Sequence, residues 1–431
     1  MITRVETLNF RSLRWIEQDV SPFQVLVGPN ASGKSAFLDV VNFLGDLLRV
    51  GPYKAIVGDV RSNIPSRAAD PSHLCWMRQG ARFELAIELK IPEERAAKLP
   101  DARYQRARYE VAIHTGIDGG EAGLSAETLW LAPSRAPGNG DPKSQQRVLF
   151  PEHREPPLTI VSEPNRRTPT GWRKVVNKIE ESGNDYFLAE TSGWNNPFRL
   201  GPAKSSLANL PEDESRFPVA TWVKKVLMEG VERVALNAEA MRTPSPPGAP
   251  RRFRPDGSNL PWVIEGLRSR SPERFDRWVE HVRTALPDLR SLGTVERPED
   301  RNRYLIIEYE SGLKAPSWVV SDGTLRLLAL TLLAYLPDTD GVYLIEEPEN
   351  GIHPRAVETV YRSLSSVYEA QILCASHSPV VLGLARPDDL LCFAKTRFGA
   401  TDIVRGREHP KLRAWKGTLD LGTLFAAGVL G

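Results

Sequence analysis

The stretch Gly28-Pro-Asn-Ala-Ser-Gly-Lys-Ser35 sets a lysine and a hydroxyl directly behind a turn bracketed by glycines. That spacing suits a polyphosphate. Glycines let the backbone curl until its N–H groups face one anion, and a following helix adds the positive end of its dipole. The turn Gly28, Pro29, Asn30, Ala31, Ser32 and Gly33 would wrap the phosphates, Lys34 would reach the outer ones, and Ser35 would ligate Mg²⁺. A plain glycine-rich turn carrying a surface lysine is the blander explanation. It does not require the apolar strand run Phe23-Gln-Val-Leu-Val27 before the turn, nor the helical spacing of apolar residues from Ser35 to Leu48 behind it.

A second cluster ends another apolar run, Val342-Tyr-Leu-Ile345, in two adjacent carboxylates, Glu346 and Glu347, with Pro348 next. Two like charges at the tip of a buried strand are costly unless a cation or a reacting group sits there. Beside a phosphate loop both acquire work: Glu346 on the metal side, Glu347 as general base or water-positioner. Gln371-Ile-Leu-Cys-Ala-Ser-His-Ser-Pro379 repeats the shape, a short buried strand ending in polar residues. A lone histidine is usually structural, but His377, one helix and one strand after the carboxylates, is placed to hydrogen-bond a terminal phosphate or the attacking water. In Val319-Val-Ser-Asp-Gly-Thr-Leu-Arg326, Ser321 or Asp322 can cap a helix, and with Gly323 that N-terminus can grip a second anion.

The elements around these residues indicate an α/β chain with an interruption. The 431 residues are 41% apolar and 26% charged with a formal net charge of +2, an ordinary globular composition that does not announce a nucleic-acid binder. Three cysteines without a CxxC pair give neither a disulfide framework nor a zinc site. Leu327 to Leu336 is too short to span a bilayer, and the N-terminus alternates like a strand without the apolar core of a signal peptide. A cytoplasmic location and no membrane contact are expected. Alternation in Phe83–Leu89, Tyr109–Ile113 and Thr128–Leu131 predicts antiparallel strands, and Leu158–Val161 another short one. Helices are expected over 216–241 and 258–286, with a proline-rich loop between them. Strand character resumes over 304–309, followed by alternating helix and buried strand over 322–336, 342–346, 354–369, 371–375 and 387–393. Strand–helix alternation at both ends predicts a parallel core split by an insertion. The expected division is 1–145, 146–300 (loop-rich, then helical) and 301–431. Arg251, Arg252, Arg254, Arg268, Arg270 and Arg274 in the insertion are a candidate DNA or partner contact, although such arginines are more often a solvated face.

The four motifs, GPNASGKS, VSDGTLR, VYLIEEPENGIHP and CASHSP, come in the order of the ABC-type ATPase heads of the SMC and RecF class, and the chain most resembles the OLD-type ATPases. The resemblance spans about 1–50 and 300–395. It implies a P-loop NTPase fold with a mixed β-sheet core, an antiparallel β subdomain and a largely helical mid-chain insertion. It also implies an ATPase that uses ATP and Mg²⁺ and forms a head-to-head homodimer, or a higher even-numbered assembly. Ser321 and Gly323 would then act on the partner's nucleotide, and Asn350 would lie at the seam. LNFRSL resembles the family's opening strand and places Arg11 and Ser12 near the nucleotide. Two departures stand out: SDG replaces the SGG of transporters, and Glu346 stands where aspartate is commoner. Gln79 is the candidate for the family's metal-proximal glutamine. The roughly fifty residues after His377 leave no room for the Toprim nuclease of full OLD-type proteins, so a nuclease effector is expected as a separate polypeptide. The biological role this implies is bacterial anti-phage defence, with RecF-like DNA repair as the alternative and a transporter subunit third.

Overall fold

The computed structural model describes residues 1–116, 121–135, 149–162, 168–179, 185–337, 340–413 and 421–426. Strands β1 (Ile2–Phe10) and β2 (Leu13–Asp19) form a hairpin, and β3 (Phe23–Val27) leaves it to run through the glycine-rich loop into a helix over Lys34–Val50. Next come β4 (Arg82–Lys90), β5 (Tyr104–His114), β6 (Gly123–Pro133), β7 (Arg173–Ile179), β8 (Tyr186–Leu188) and β9 (Asn195–Pro197). These build one antiparallel sheet ordered β2-β1-β4-β5-β6-β7-β8-β9. One face packs on the Lys34–Val50 helix, where Phe10 and Phe83 rings lie 5.3 Å apart and Phe43 sits 5.8 Å from Phe83. The other face buries a charged network in which Arg108 grips Glu6 at 2.7 and 2.9 Å and Glu110 at 2.9 Å.

The expected division at 145 lies outside the described residues, and β7–β9 pair onwards from β6 on its far side. Leu158–Val161 is not a strand. Its backbone N–H at Ile160 and the Thr159 hydroxyl donate to the Glu84 carboxylate, at 2.7 and 2.8 Å, instead of to a neighbouring strand. Of its apolar residues only Val161 is buried, and Leu158 is fully exposed.

After a helix over Pro218–Glu229, β10 (Val231–Val234) interrupts the helix expected over 216–241, and a short helix, Ala238–Arg242, follows. Gly230 marks the break. The second expected helix is likewise two, Leu260–Arg270 and Pro272–Arg283, because Pro272 has no N–H to continue the first. Strands β11 (Leu289–Glu296), β12 (Arg303–Tyr309) and β13 (Lys314–Pro316) make a small antiparallel sheet. The chain then runs through a helix over Asp322–Leu332, β14 (Gly341–Glu346), a helix over Pro354–Ser365, β15 (Ala370–Ala375), β16 (Leu390–Lys395) and β17 (Thr401–Arg405).

The second large sheet is ordered β10-β14-β15-β3-β16-β17 and is parallel except at β17. Its near-continuous apolar strands are covered on both faces, as a parallel sheet requires. Register decides what meets at its end. Ala375 pairs with Leu26 and Glu346 pairs with Ala375, so the glycine-rich loop, the glutamates and Ser376–His377 all emerge at the carboxyl ends of adjacent strands. That rim is where open α/β sheets bind ligands. The segment 146–300 supplies β10 to this sheet as well as β7–β9 to the other. Among the described residues no helix is long and apolar enough to cross a membrane.

Candidate functional site

The loop from Gly28 to Ser35 is held by contacts that only glycine permits. A Cβ on Gly28 would lie 2.2 Å from the Phe393 carbonyl oxygen, and one on Gly33 (φ +106°) would lie 2.3 Å from Thr401 Oγ1 and 2.9 Å from Ser12 Oγ. Thr401 is the brace: its hydroxyl donates to the Ser32 carbonyl at 2.8 Å and lies in hydrogen-bond contact with Ser12 Oγ at 3.1 Å, while its N–H donates to Ser12 O. Pro29, Asn30 and Ala31 are exposed and Ser32 is buried, with its hydroxyl lacking any hydrogen-bond partner. Lys34 is buried and folds back, Nζ donating to Gly28 O at 2.8 Å and Pro29 O at 2.9 Å. Burial drives its ammonium pKa down to about 8, against the opposing pull of Glu347 and Glu346. A partly desolvated cation beside a curled, glycine-bracketed turn is a seat for anionic oxygen.

Ser12 thus touches the loop. Arg11 does not reach it: its guanidinium pairs with Asp39 at 2.9 Å on the Lys34–Val50 helix. It lines a cleft of about 220 Å³ beside Ser35 and Glu346, together with Arg67 and Arg233.

At the tip of β14 the Ser35 hydroxyl donates to one oxygen of Glu346, and Arg233 Nη2 donates to the other at 2.8 Å. Glu347 has a left-handed backbone (φ +48°), a conformation costing a non-glycine residue about 1–2 kcal/mol. The turn fixes it: its N–H donates to Ala375 O at 2.8 Å, and Asn350 Nδ2 donates to its carboxylate at 2.6 Å. Glu349 was not singled out from the sequence. Its Oε1 accepts from Ser376 Oγ at 2.7 Å and from the His377 N–H at 3.1 Å, tying the glutamate turn to the histidine loop. Burial, then Lys34, holds the His377 pKa below its ordinary value, with Glu347 and Glu349 pulling the other way.

Among the described residues no cluster of three or more His, Cys, Asp or Glu can hold a metal on its own. One hydroxyl and one carboxylate, Ser35 and Glu346, are in contact, and such a hard-oxygen pair suits Mg²⁺ that arrives with phosphate ligands. The residues fit a nucleotide-borne metal, not a resident one.

The second anion turn stands apart from this cluster. Ser321 caps the Asp322–Leu332 helix, its hydroxyl accepting from the Thr324 N–H at 3.2 Å, and both Ser321 and Asp322 are exposed. Arg242 anchors the turn, donating to Val320 O at 3.1 and 3.0 Å and pairing with Asp322. A Cβ on Gly323 would meet Gly351 O at 2.4 Å, so this turn packs directly against the loop that carries Asn350. Gln79 closes a 3-10 turn, its N–H on Trp76 O, and lines neither cleft beside Glu346; Pro65, Ser66 and Arg67 occupy that position instead. Of the six arginines, all exposed, Arg252 faces Glu232 at 3.7 Å and Arg268 lies over the Phe275 ring.

Comparison with solved structures finds the Smc head bound to the C-terminal winged-helix domain of ScpA at a TM-score of 0.51 and 15% identity, covering 94% of this chain and 96% of that one. The Smc head with an extended coiled coil bound to the C-terminal domain of ScpA, from Pyrococcus furiosus, gives 0.49 and 13% identity over 94% and 95%. At such identities the likeness is one of fold. No curated protein matches. A family model described as "AAA domain, putative AbiEii toxin, Type IV TA system" matches residues 154–383, taking in the Ser321 turn, the glutamate pair and His377. With more than half its length matched the chain belongs to that AAA-domain family, and its fold is like that of an Smc head.

Proposed function

We propose that the chain binds and hydrolyses ATP, and that ATP closes two copies head to head around two nucleotides. The observation that carries this reading is the meeting of Lys34, Ser35, Glu346, Glu347 and His377 at one sheet edge, while Ser321 stays exposed and bonded only within its own helix. Mg²⁺ bound with the nucleotide would neutralise charge on the outer phosphates, held by Ser35 and Glu346. Lys34 exchanges the carbonyls of Gly28 and Pro29 for phosphate oxygens. Glu347 leaves Asn350 and takes the proton of the attacking water, and His377 donates to the terminal phosphate. Ser321 and Gly323 then meet the nucleotide of the second copy, with Asn350 at the seam.

In this reading the opening and closing of the dimer controls a separate effector such as a nuclease. The family description, a toxin of a type IV TA system, is compatible with a bacterial defence role. Exposed Arg251, Arg254 and Arg274 favour a second reading in which the head also grips DNA, as a RecF-like repair ATPase would. Light scattering tests the dimer. Glu347→Gln with ATP and Mg²⁺ should run as a dimer, and adding Ser321→Arg should return it to monomer. A dimer that ignores Ser321→Arg, or a Glu347→Gln protein that stays monomeric, overturns the head-to-head arrangement. Salt-sensitive binding to labelled DNA, lost on replacing the three arginines by glutamate, separates the second reading from the first.

A further inference from the structure

We propose that Arg233 is a built-in counter-ion for Glu346: it holds this carboxylate in the metal-free protein, yields it to Mg²⁺, and so sets the Mg²⁺ concentration at which the site loads. The inference rests on Ser35 and Glu346 as the metal-side pair. Arg233 stands on β10, the edge strand, in parallel register with Leu344. Residues two apart on a strand share a face, so Arg233 and Glu346 project to the same side of the sheet.

Both oxygens of Glu346 are taken, one by the Ser35 hydroxyl and the other by Arg233 Nη2 at 2.8 Å. The two protein groups that a metal would recruit are thus bonded to each other, with a guanidinium supplying the missing positive charge. Glutamate, one methylene longer than aspartate, can span from Ser35 to Arg233. Neighbouring cations are committed elsewhere. Arg11 and Arg67 pair with Asp39 at 2.9 and 2.8 Å, Arg67 also pairs with Asp46 at 2.7 Å, and Lys34 bonds to loop carbonyls. A divalent cation drawn to the Ser35 side of this carboxylate comes close to the guanidinium on its other oxygen, and their repulsion opposes metal entry while Arg233 stays in place. The side chain is 52% exposed and lines both clefts that flank Glu346, of about 390 and 220 Å³, which gives it room to swing away.

The test is a Mg²⁺ titration of binding of a fluorescent ATP analogue to the whole protein, under conditions without turnover. Arg233→Ala and Arg233→Gln should lower the half-saturating Mg²⁺ by about three- to fivefold, the worth of a half-exposed ion pair with one charge-assisted hydrogen bond. Arg233→Lys should stay near wild type. In a Glu346→Gln background, Arg233→Ala should shift nothing, because the carboxylate they compete for is gone. An unchanged or raised Mg²⁺ midpoint in Arg233→Ala overturns the proposal while leaving the metal-side pair intact. Wild-type binding that ignores Mg²⁺ overturns both.

Discussion

Raising the pH from 7 to 9 should weaken nucleotide binding about tenfold, and Lys34 supplies the number. Burial, only partly offset by Glu347 and Glu346, brings its pKa to about 8 in the free protein. Phosphate oxygens at Nζ favour the charged form, so the bound-state pKa returns towards the ordinary value of 10.5. The sign follows: binding takes up a proton above about pH 8, and affinity falls as pH rises through that value. Roughly nine-tenths of the free molecules carry the proton at pH 7 and about one-tenth at pH 9, so the apparent Kd scales inversely with that fraction. Tenfold corresponds to about 1.4 kcal/mol. Fluorescence titration of an ATP analogue at constant ionic strength reads it directly. Lys34→Arg is the control, since a guanidinium does not deprotonate in this range; its affinity, whatever its level, should be flat from pH 7 to 9. A wild-type change below twofold, or the same slope in Lys34→Arg, refutes the assignment of the titrating cation.

Other outcomes follow from the same geometry. Glu349→Ala should strand the Ser376 hydroxyl and the His377 N–H, at about 1–3 kcal/mol each if water does not replace the carboxylate, and should lower kcat more than it raises KM. Gly323→Ala should push the Ser321 turn off Gly351 and abolish the ATP-dependent dimer in light scattering while monomeric nucleotide binding persists. Glu190 is a buried carboxylate accepting N–H bonds from Val219 and Ala220, both at 2.7 Å, and burial still raises it to about 7 from 4.5. A folded-state pKa above the unfolded one gives stability that is complete below pH 4.5 and lost as pH rises through about 7. Up to about 3 kcal/mol is at stake. The pH dependence of the melting temperature should therefore flatten over this window in Glu190→Gln, and an unaltered profile rules Glu190 out as its source.

The sequence was informative wherever local stereochemistry decides the outcome. Gly28 and Gly33 must be glycine, and the apolar run into Glu346 and Glu347 has to end at a strand tip; both follow from short stretches of chain. Ser321 as helix cap was equally legible. What escaped depends on distant segments meeting. Thr401 braces the loop through Ser12, 389 positions away, and Arg233 reaches Glu346 across 113. Glu349 lay in view, but its role becomes visible only once β14 and β15 are neighbours. The four-residue strand Val231–Val234 was absorbed into a helical pattern because so short a run carries no period of its own; pairing with β14 makes it a strand. Arg11 pairs with Asp39, an opposite charge on the adjoining helix, a partner that its place in LNFRSL does not reveal.

The proposed function stands or falls on whether Lys34, Glu347 and the surrounding rim hydrolyse ATP. The most direct measurement is phosphate release from ATP with Mg²⁺ by the wild-type chain, Lys34→Ala and Glu347→Gln, run beside a binding assay on each. The prediction is turnover by wild type, loss of binding in Lys34→Ala, and retained binding with hydrolysis reduced by roughly a hundredfold or more in Glu347→Gln. Wild-type rates in both variants would contradict the site.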